Sequence, residues 1–352
     1  MLSSCGLGPE ALHEHGNERQ QEGELDLAIE YYRRSLELDD SKAIVFVDLA
    51  AAYYESGQVV EASLSCERAL QIDPGNARAS SLLARSYFEL GRAQEALPFA
   101  LRGTQTPAPE AFALWTLGAV FLELKRYEDA ERLYLMTLRS LQYPTPSYAD
   151  GQWRRELSPE DVGYLCFGVG LACKGQGKFR EAGLWYDRAL DYVPGRSTVL
   201  TEKGILLERS GRWREALDCY KRAIKDDPSY TDAQVRAGVA LYNLGEILAA
   251  RDMLVAARDD SSAGPEAPYV LGQIAEQRGF ALEAIDFYRE ARWMDESMAP
   301  AWLREGLLLR TLGFHSEGTR CIEMARHQGS SAARWILESE AGKGSSKDLP
   351  HP

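Results

Sequence analysis

The sequence is short of cysteine, of proline and of positive charge, and it has no long apolar run. Six cysteines in 352 residues (Cys5, Cys66, Cys166, Cys173, Cys219 and Cys321) are too few for a disulfide-stapled fold. None forms the Cys-x-x-Cys pair of a zinc or redox site, and this usage fits a reducing compartment, so the expected location is cytoplasmic. Fifteen prolines and thirty glycines exclude a collagenous or low-complexity chain. No stretch reaches the roughly 18 apolar residues of a membrane-spanning helix, so no integral membrane segment is expected. Forty Lys and Arg against 53 Asp and Glu leave a net charge of −13, a surface field that repels phosphate backbones and argues against nucleic acid as a partner. What is plentiful is apolar content, 45% of the residues, enough for a sizeable folded core.

That apolar content is periodic. Alanines stand at Ala28, Ala62, Ala96, Ala130, Ala182, Ala216, Ala250 and Ala284, and Gly318 continues the series. The steps are 34 residues, except for 52 between Ala130 and Ala182, which is one period plus an 18-residue insertion. A second series in the same phase runs Gly16, Ala50, Ala84, Gly118, Gly170, Gly204, Gly238, Gly272 and Gly306. Each period reads as two amphipathic helices, for example Ala43–Tyr54 then Val59–Ile72, joined by a short glycine-bearing turn. The turn glycines are Gly23, Gly57, Gly91, Gly177, Gly211, Gly245, Gly279 and Gly313, and Lys125 breaks the column. Glycine is favoured there because the residue just past a helix takes positive φ. Pro74, Pro194 and Pro228 close three of the second helices.

The 34-residue period with Leu114-x2-Leu117-Gly118-x2-Phe121 and Ala130-x3-Tyr134, and with Leu200-x3-Gly204-x2-Leu207, Ala216-x3-Tyr220 and Pro228, resembles the tetratricopeptide repeat. The resemblance covers nearly the whole chain. It implies an all-α fold, a right-handed α-solenoid superhelix of tandem helix-turn-helix units, with first helices lining a concave groove and second helices forming the back. Nine units begin at Pro9, Ala43, Ala77, Ala111, Gly163, Ser197, Thr231, Pro265 and Ala299. The expected organisation is a flexible start (1–8), repeats one to four (9–144), an inserted loop (145–162), repeats five to nine (163–332), a C-terminal capping helix (333–341) and a disordered tail (342–352).

Chemistry is sparse. His13 and His15 flank a glutamate but point to different sides of a helix, so a solvated face is expected rather than a metal site. Gly168-Val-Gly170 and Gly175-Gln-Gly177-Lys178 imitate phosphate-loop fragments, yet Ala172 and Phe179 occupy the places where that loop needs glycine and Ser/Thr. The cysteines beyond Cys5 fall in or beside packing columns and read as small core hydrophobes. No catalytic residue, metal or cofactor is expected, and the chain reads as a non-enzyme.

The family groove is lined by the second, fifth, sixth, ninth, twelfth and thirteenth residues of each unit. In the middle of the array these are apolar: Ile44, Val47 and Tyr54, then Leu82 and Phe88, then Phe112, Trp115 and Leu122, then Tyr164, Phe167 and Leu171. Two explanations remain open at this point, a trough for a partner's helix or extended peptide, and simple packing between neighbouring first helices. The Lys/Asn set of the carboxylate-clamp subclass is absent, since Asn17 lacks its lysines and Val47 with Ala51 replace polar groups. Arg236, Tyr242, Tyr269, Arg304 and Arg310 form a second, more polar groove stretch, suited to an acidic segment or to local ion pairs. The insertion carries Trp153, Arg154 and Arg155, and either folds over the groove or extends a helix of repeat four.

The functional expectation is a scaffold or adaptor that binds a protein or peptide partner on repeats two to five. Two rivals stand beside it. Leu2-Ser3-Ser4-Cys5 has the form of a bacterial lipoprotein cleavage box, so an upstream signal would make this a periplasmic lipoprotein assisting pilus or secretion-system assembly. An array of this kind also serves as the docking arm of a larger enzyme.

Overall fold

The computed structural model describes residues 7–106, 111–142, 158–258, 260 and 262–345. The expectations for Cys5, for the greater part of the insertion with Trp153, and for the tail beyond 345 lie outside the described residues. The described residues form nineteen helices and no strand. They divide into two compact bodies, 1–194 and 195–352.

In the first body the helix pairs are α1 (Pro9–Gln21) with α2 (Leu25–Leu38), α3 (Ala43–Glu55) with α4 (Val59–Ile72), α5 (Ala77–Glu89) with α6 (Ala93–Gly103), α7 (Ala111–Glu123) with α8 (Tyr127–Gln142), and α9 (Pro159–Gly175) with α10 (Phe179–Tyr192). In the second body they are α11 (Ser197–Arg209) with α12 (Trp213–Asp226), α13 (Thr231–Asn243) with α14 (Ile247–Arg258), α15 (Glu266–Gln277) with α16 (Ala281–Met294), and α17 (Ala299–Thr311) with α18 (His315–His327). A single helix, α19 (Ser331–Ser345), packs on α18. Within each body every helix packs on its partner and on the next helix in the chain, which is the contact pattern of an α-solenoid.

Why each pair closes is written in two reciprocal columns. All eight alanines from Ala28 to Ala284 in the 34-residue series have no exposed surface. Four residues after five of them stand Tyr32, Tyr134, Tyr186, Tyr220 and Tyr288, each buried. Opposite each of these rings is a glycine of the first helix. A Cβ added at Gly118 would lie 2.2 Å from the Tyr134 ring, and one at Gly204 would lie 2.4 Å from that of Tyr220. Gly238 meets Leu254 and Gly306 meets Ile322 in the same way. Where the second helix offers something small, Cys66 or Ala100, the first helix carries Ala50 or Ala84 instead. A large residue on the second helix is thus met by glycine on the first and a small one by alanine, the complementarity that close packing requires.

The eight turn glycines all have positive φ, between 73° at Gly91 and 90° at Gly313. Lys125 adopts the same conformation, φ 57°, and among the described residues no other non-glycine does. Repeat five starts earlier than its phase: Ser158 accepts from the Asp161 amide and Asp161 accepts from that of Ser158, a capping box that begins α9 at Pro159. The last four residues of the insertion therefore belong to a helix. Burial, first of all, pushes the Cys66 thiol up to about 12 and those of Cys173 and Cys321 to about 11. Cys166 and Cys219 are also buried and in no disulfide, the setting of inert core thiols.

Candidate functional site

In the first body α3, α5, α7 and α9 also lie side by side, so their outward residues form one continuous face. Ile44 is 46% exposed, and Tyr54, Phe88, Phe112, Trp115, Tyr164, Phe167 and Leu171 are partly exposed. Val47 departs from the expectation for this face, being fully buried, and Leu82 is nearly so. Val47, Trp115 and Phe167 hold the same fifth place in their units. A short β-branched side chain there is covered by the neighbouring helix, whereas a large ring reaches out of the seam.

The rings are in contact from helix to helix. Tyr54 meets Phe112 edge-on at 6.4 Å, Trp115 meets Tyr164 edge-on at 6.3 Å, and Phe167 leans on the buried Tyr186 at 5.7 Å. The rings therefore pack on one another and also keep part of their surface exposed.

Sequence reasoning passed over the residue at the centre of this face, Arg85. Its guanidinium lies 4.1 Å from the centroid of Trp115 and 5.6 Å from that of Phe88. Its Nε donates to the Tyr54 hydroxyl and to Glu89, each at 2.9 Å, and its Nη2 pairs with Glu89. Nη1 is sealed from solvent with no hydrogen-bond partner, leaving the ring faces as its neighbours. Arg85 stands at the ninth place of its unit, so the register alone locates it, but a search for apolar residues skips it.

His13 also departs from expectation. Its Nε2 lies 2.8 Å from Asp48, whose other oxygen accepts from Arg78 at 2.8 Å, so a chain of polar contacts ties α1, α3 and α5 together. His15 instead pairs with Glu18 on the surface. The glycines of the phosphate-loop imitation have packing reasons: Gly168, Gly170 and Gly175 each abut a tyrosine ring, of Tyr134, Tyr186 and Tyr127. Glu131, Cys173 and Glu181 bring possible metal-binding atoms within 4.8 Å of one another. Burial works to raise the Glu131 carboxyl, but hydrogen bonds from Gln176 and Lys178 outweigh it and hold the group lowered. With the Lys178 ammonium 3.0 Å away, the charge of Glu131 is already answered.

In the second body the polar groove residues are engaged. Arg236 donates to Asp232 at 3.1 Å and lies 3.8 Å from Glu208. Tyr242 accepts from Gln277 at 2.7 Å, and Tyr269 accepts from Gln273 at 3.4 Å. Arg304 pairs with Glu276 at 3.3 Å and Arg310 with Glu340 at 2.6 Å. Each of the three arginines has a carboxylate of its own. Among the described residues no helix is long and apolar enough to cross a membrane.

Helix pairs stacked in sequence within each body, a 34-residue phase and turn glycines at positive φ define an α-solenoid repeat protein. The chain belongs to the tetratricopeptide repeat family: the profile described as "Tetratricopeptide repeat" matches residues 13–77, 201–262 and 238–299. Residues 55–137 match the profile "Anaphase-promoting complex, cyclosome, subunit 3". Among solved structures, that in "Functional Characterization of Pseudomonas Aeruginosa pilF" aligns at TM-score 0.50 and 17% identity, over 72% of this chain and 98% of that one. The "Crystal structure of MamA" aligns at TM-score 0.41 and 22% identity, over 47% of this chain and 97% of that one. No curated protein matches the chain. At these identities the likeness speaks for the fold alone. Tetratricopeptide repeats are protein-interaction scaffolds, and a protein partner follows from the family.

Proposed function

We propose that the chain is a non-enzymatic adaptor which holds a peptide or helix of a partner protein on the face of α3, α5, α7 and α9. The observation that carries this reading is the set of partly exposed rings on one face, Tyr54 against Phe112, Trp115 against Tyr164, and Phe167 beside them. Rings held by their neighbours lose little further freedom on binding, and aromatic anchors dominate protein interfaces. Five buried cysteines in no disulfide support a cytoplasmic setting. The more polar face of the second body is the weaker candidate, because its arginines would have to leave existing carboxylates to engage a ligand.

The test is Trp115→Glu. A carboxylate carries a large desolvation cost in an apolar interface, so affinity for a partner recovered with the wild-type chain should fall at least tenfold, about 1.4 kcal/mol. Circular dichroism on the same variant should keep its helical signal. Unchanged affinity with an intact fold would move the binding site elsewhere, and loss of the helical signal would make Trp115 a core residue.

A further inference from the structure

The proposed groove has a charged edge as well as an apolar floor. The last residues of α3, α5 and α7 are Glu55, Glu89 and Glu123, all exposed. They share the thirteenth place of three successive repeats, and the structure shows where that place lies. Glu55 accepts from Gln20, and Glu89 accepts from the Tyr54 hydroxyl; Gln20 and Tyr54 are the twelfth residues of the preceding repeats. In the second body Gln277 meets Tyr242 with the same offset. The three glutamates therefore run as a row across α3, α5 and α7, in register with Gln20, Tyr54 and Phe88.

Nothing intrinsic to the helices favours this row. A helix C-terminus carries partial negative charge and prefers a cation. The first helices α1, α9, α11 and α17 follow that preference, with Arg19, Lys174, Arg209 and Arg310 in their last turns. Helices α13 and α15 end on the neutral Asn243 and Gln277. Only α3, α5 and α7, among the first helices, have an acidic last residue and no basic residue in the last turn. The cations nearby are mostly spoken for: Arg85 pairs with Glu89, Arg92 with Glu95 and Arg126 with Asp129, while Lys125 sits in the turn beyond α7. Glu55 receives only a neutral amide, and Glu123 has no hydrogen-bond or ion-pair partner among the described residues.

We infer that the partner segment is a basic amphipathic one, an inference that rests on the groove reading above. Its apolar side chains meet Phe88, Phe112, Trp115 and Phe167, and its Lys or Arg side chains meet Glu55 and Glu123, the two members of the row that no cation answers, on either side of the Arg85–Glu89 pair. Neighbouring helices pack about 8–10 Å apart, so α3 and α7, with α5 between them, are about 16–20 Å apart, a span that basic residues about eleven to fourteen apart on a helical segment cover. Attraction to the carboxylates adds to attraction to the carbonyl ends of the three helices.

The probes are three 15-residue amphipathic peptides with identical leucine faces and with Lys, Gln or Glu on the polar face, titrated by fluorescence anisotropy at physiological salt. The Lys peptide should bind at least tenfold tighter than the Glu peptide. Glu55→Gln/Glu123→Gln, which leaves the Arg85–Glu89 pair untouched, should weaken the Lys peptide at least fivefold and leave the Gln peptide within twofold. Neutralising two exposed carboxylates of the second body, Asp218→Asn/Glu283→Gln, should change neither. An equal loss from that control pair would mean attraction to net charge only, and tighter binding of the Glu peptide would mean that Arg85 recruits an acid; both overturn the inference. Trp115→Ala separates the two levels. If it weakens all three peptides while the Glu55/Glu123 variant changes none, the groove stands and the basic partner falls; if it weakens none, the groove reading itself fails.

Discussion

The two bodies share one framework and differ in what they hang on it. Gly118 against Tyr134 in the first and Gly204 against Tyr220 in the second are the same solution to the same packing problem. The outward residues of the first helices differ in weight: a run of rings gathered round Arg85, itself paired with Glu89, in the first body, and arginines paired with carboxylates beside two tyrosines in the second. In a quasi-one-dimensional array the packing positions and the outward positions are separate sets, so recognition can change from repeat to repeat while the closure of each pair is kept.

That separation predicts that framework substitutions cost alike in both bodies, whatever the outward face carries. The largest effect is expected for Ala216→Leu, which forces three extra carbons into a site with no free surface: about 3 kcal/mol or more, read from denaturant unfolding followed by circular dichroism. Gly204→Ala should cost about 1–3 kcal/mol, because the new methyl meets the Tyr220 ring. The reciprocal exchange belongs to the first body. Ala100→Tyr alone should destabilise repeat three, and adding Ala84→Gly should recover most of the loss by recreating the glycine–tyrosine pair. If the double variant is no better than Ala100→Tyr alone, volume exchange between the columns is not what closes a pair.

A second contrast concerns buried charge. In the second body Glu305 of α17 is almost without exposed surface, with Arg289 and Arg292 of α16 2.8 and 2.7 Å away. Glu305→Ala leaves two guanidinium groups facing an apolar wall. Because Arg289 keeps nearly half of its surface and can hydrate, the expected cost is about 2 kcal/mol, below that of a fully enclosed pair. The first body's counterpart, Asp48 between His13 and Arg78, should cost less on Asp48→Ala, since Arg78 is 47% exposed whereas Arg292, over the Trp302 ring, is 28% exposed. Equal losses would mean that solvent access to the arginines does not set the difference.

How far these features could be read in advance depends on their range along the chain. The turn glycines and the small-residue columns repeat every 34 residues, and each acts on its own pair, so period and spacing expose them. Arg85 was within reach of the same register, at a groove position, but its role comes from Trp115 thirty residues later and from Tyr54 thirty-one residues earlier. His13 with Asp48, and Glu305 with its two arginines, depend on which rotamer crosses to the neighbouring helix, and no pattern of hydrophobicity encodes that. Val47 failed as a groove residue for a reason of size: position says which way a side chain leaves the helix, and length decides whether it emerges.

The smallest expected effect tests a turn in which the first body departs from the second. Every turn between paired helices of the second body has glycine at positive φ: Gly211, Gly245, Gly279 and Gly313. In the first body the fourth turn holds Lys125 in that conformation. A non-glycine side chain in the left-handed region costs about 1–2 kcal/mol, and glycine returns part of any gain through the greater freedom of its unfolded chain. Lys125→Gly should therefore stabilise the protein by about 0.5–1 kcal/mol, seen as a higher midpoint of denaturant unfolding with an unchanged slope. Lys125 lies two residues from Glu123, so removing its charge also leaves the glutamate row more exposed to an incoming cation, and the Lys peptide should bind no more weakly than before. Lys125→Ala isolates the conformational part, since it removes the charge but keeps the Cβ: it should leave stability near the wild-type value. If both variants gain equally, the strain is not in the backbone, and the turn of repeat four differs from its neighbours only in charge.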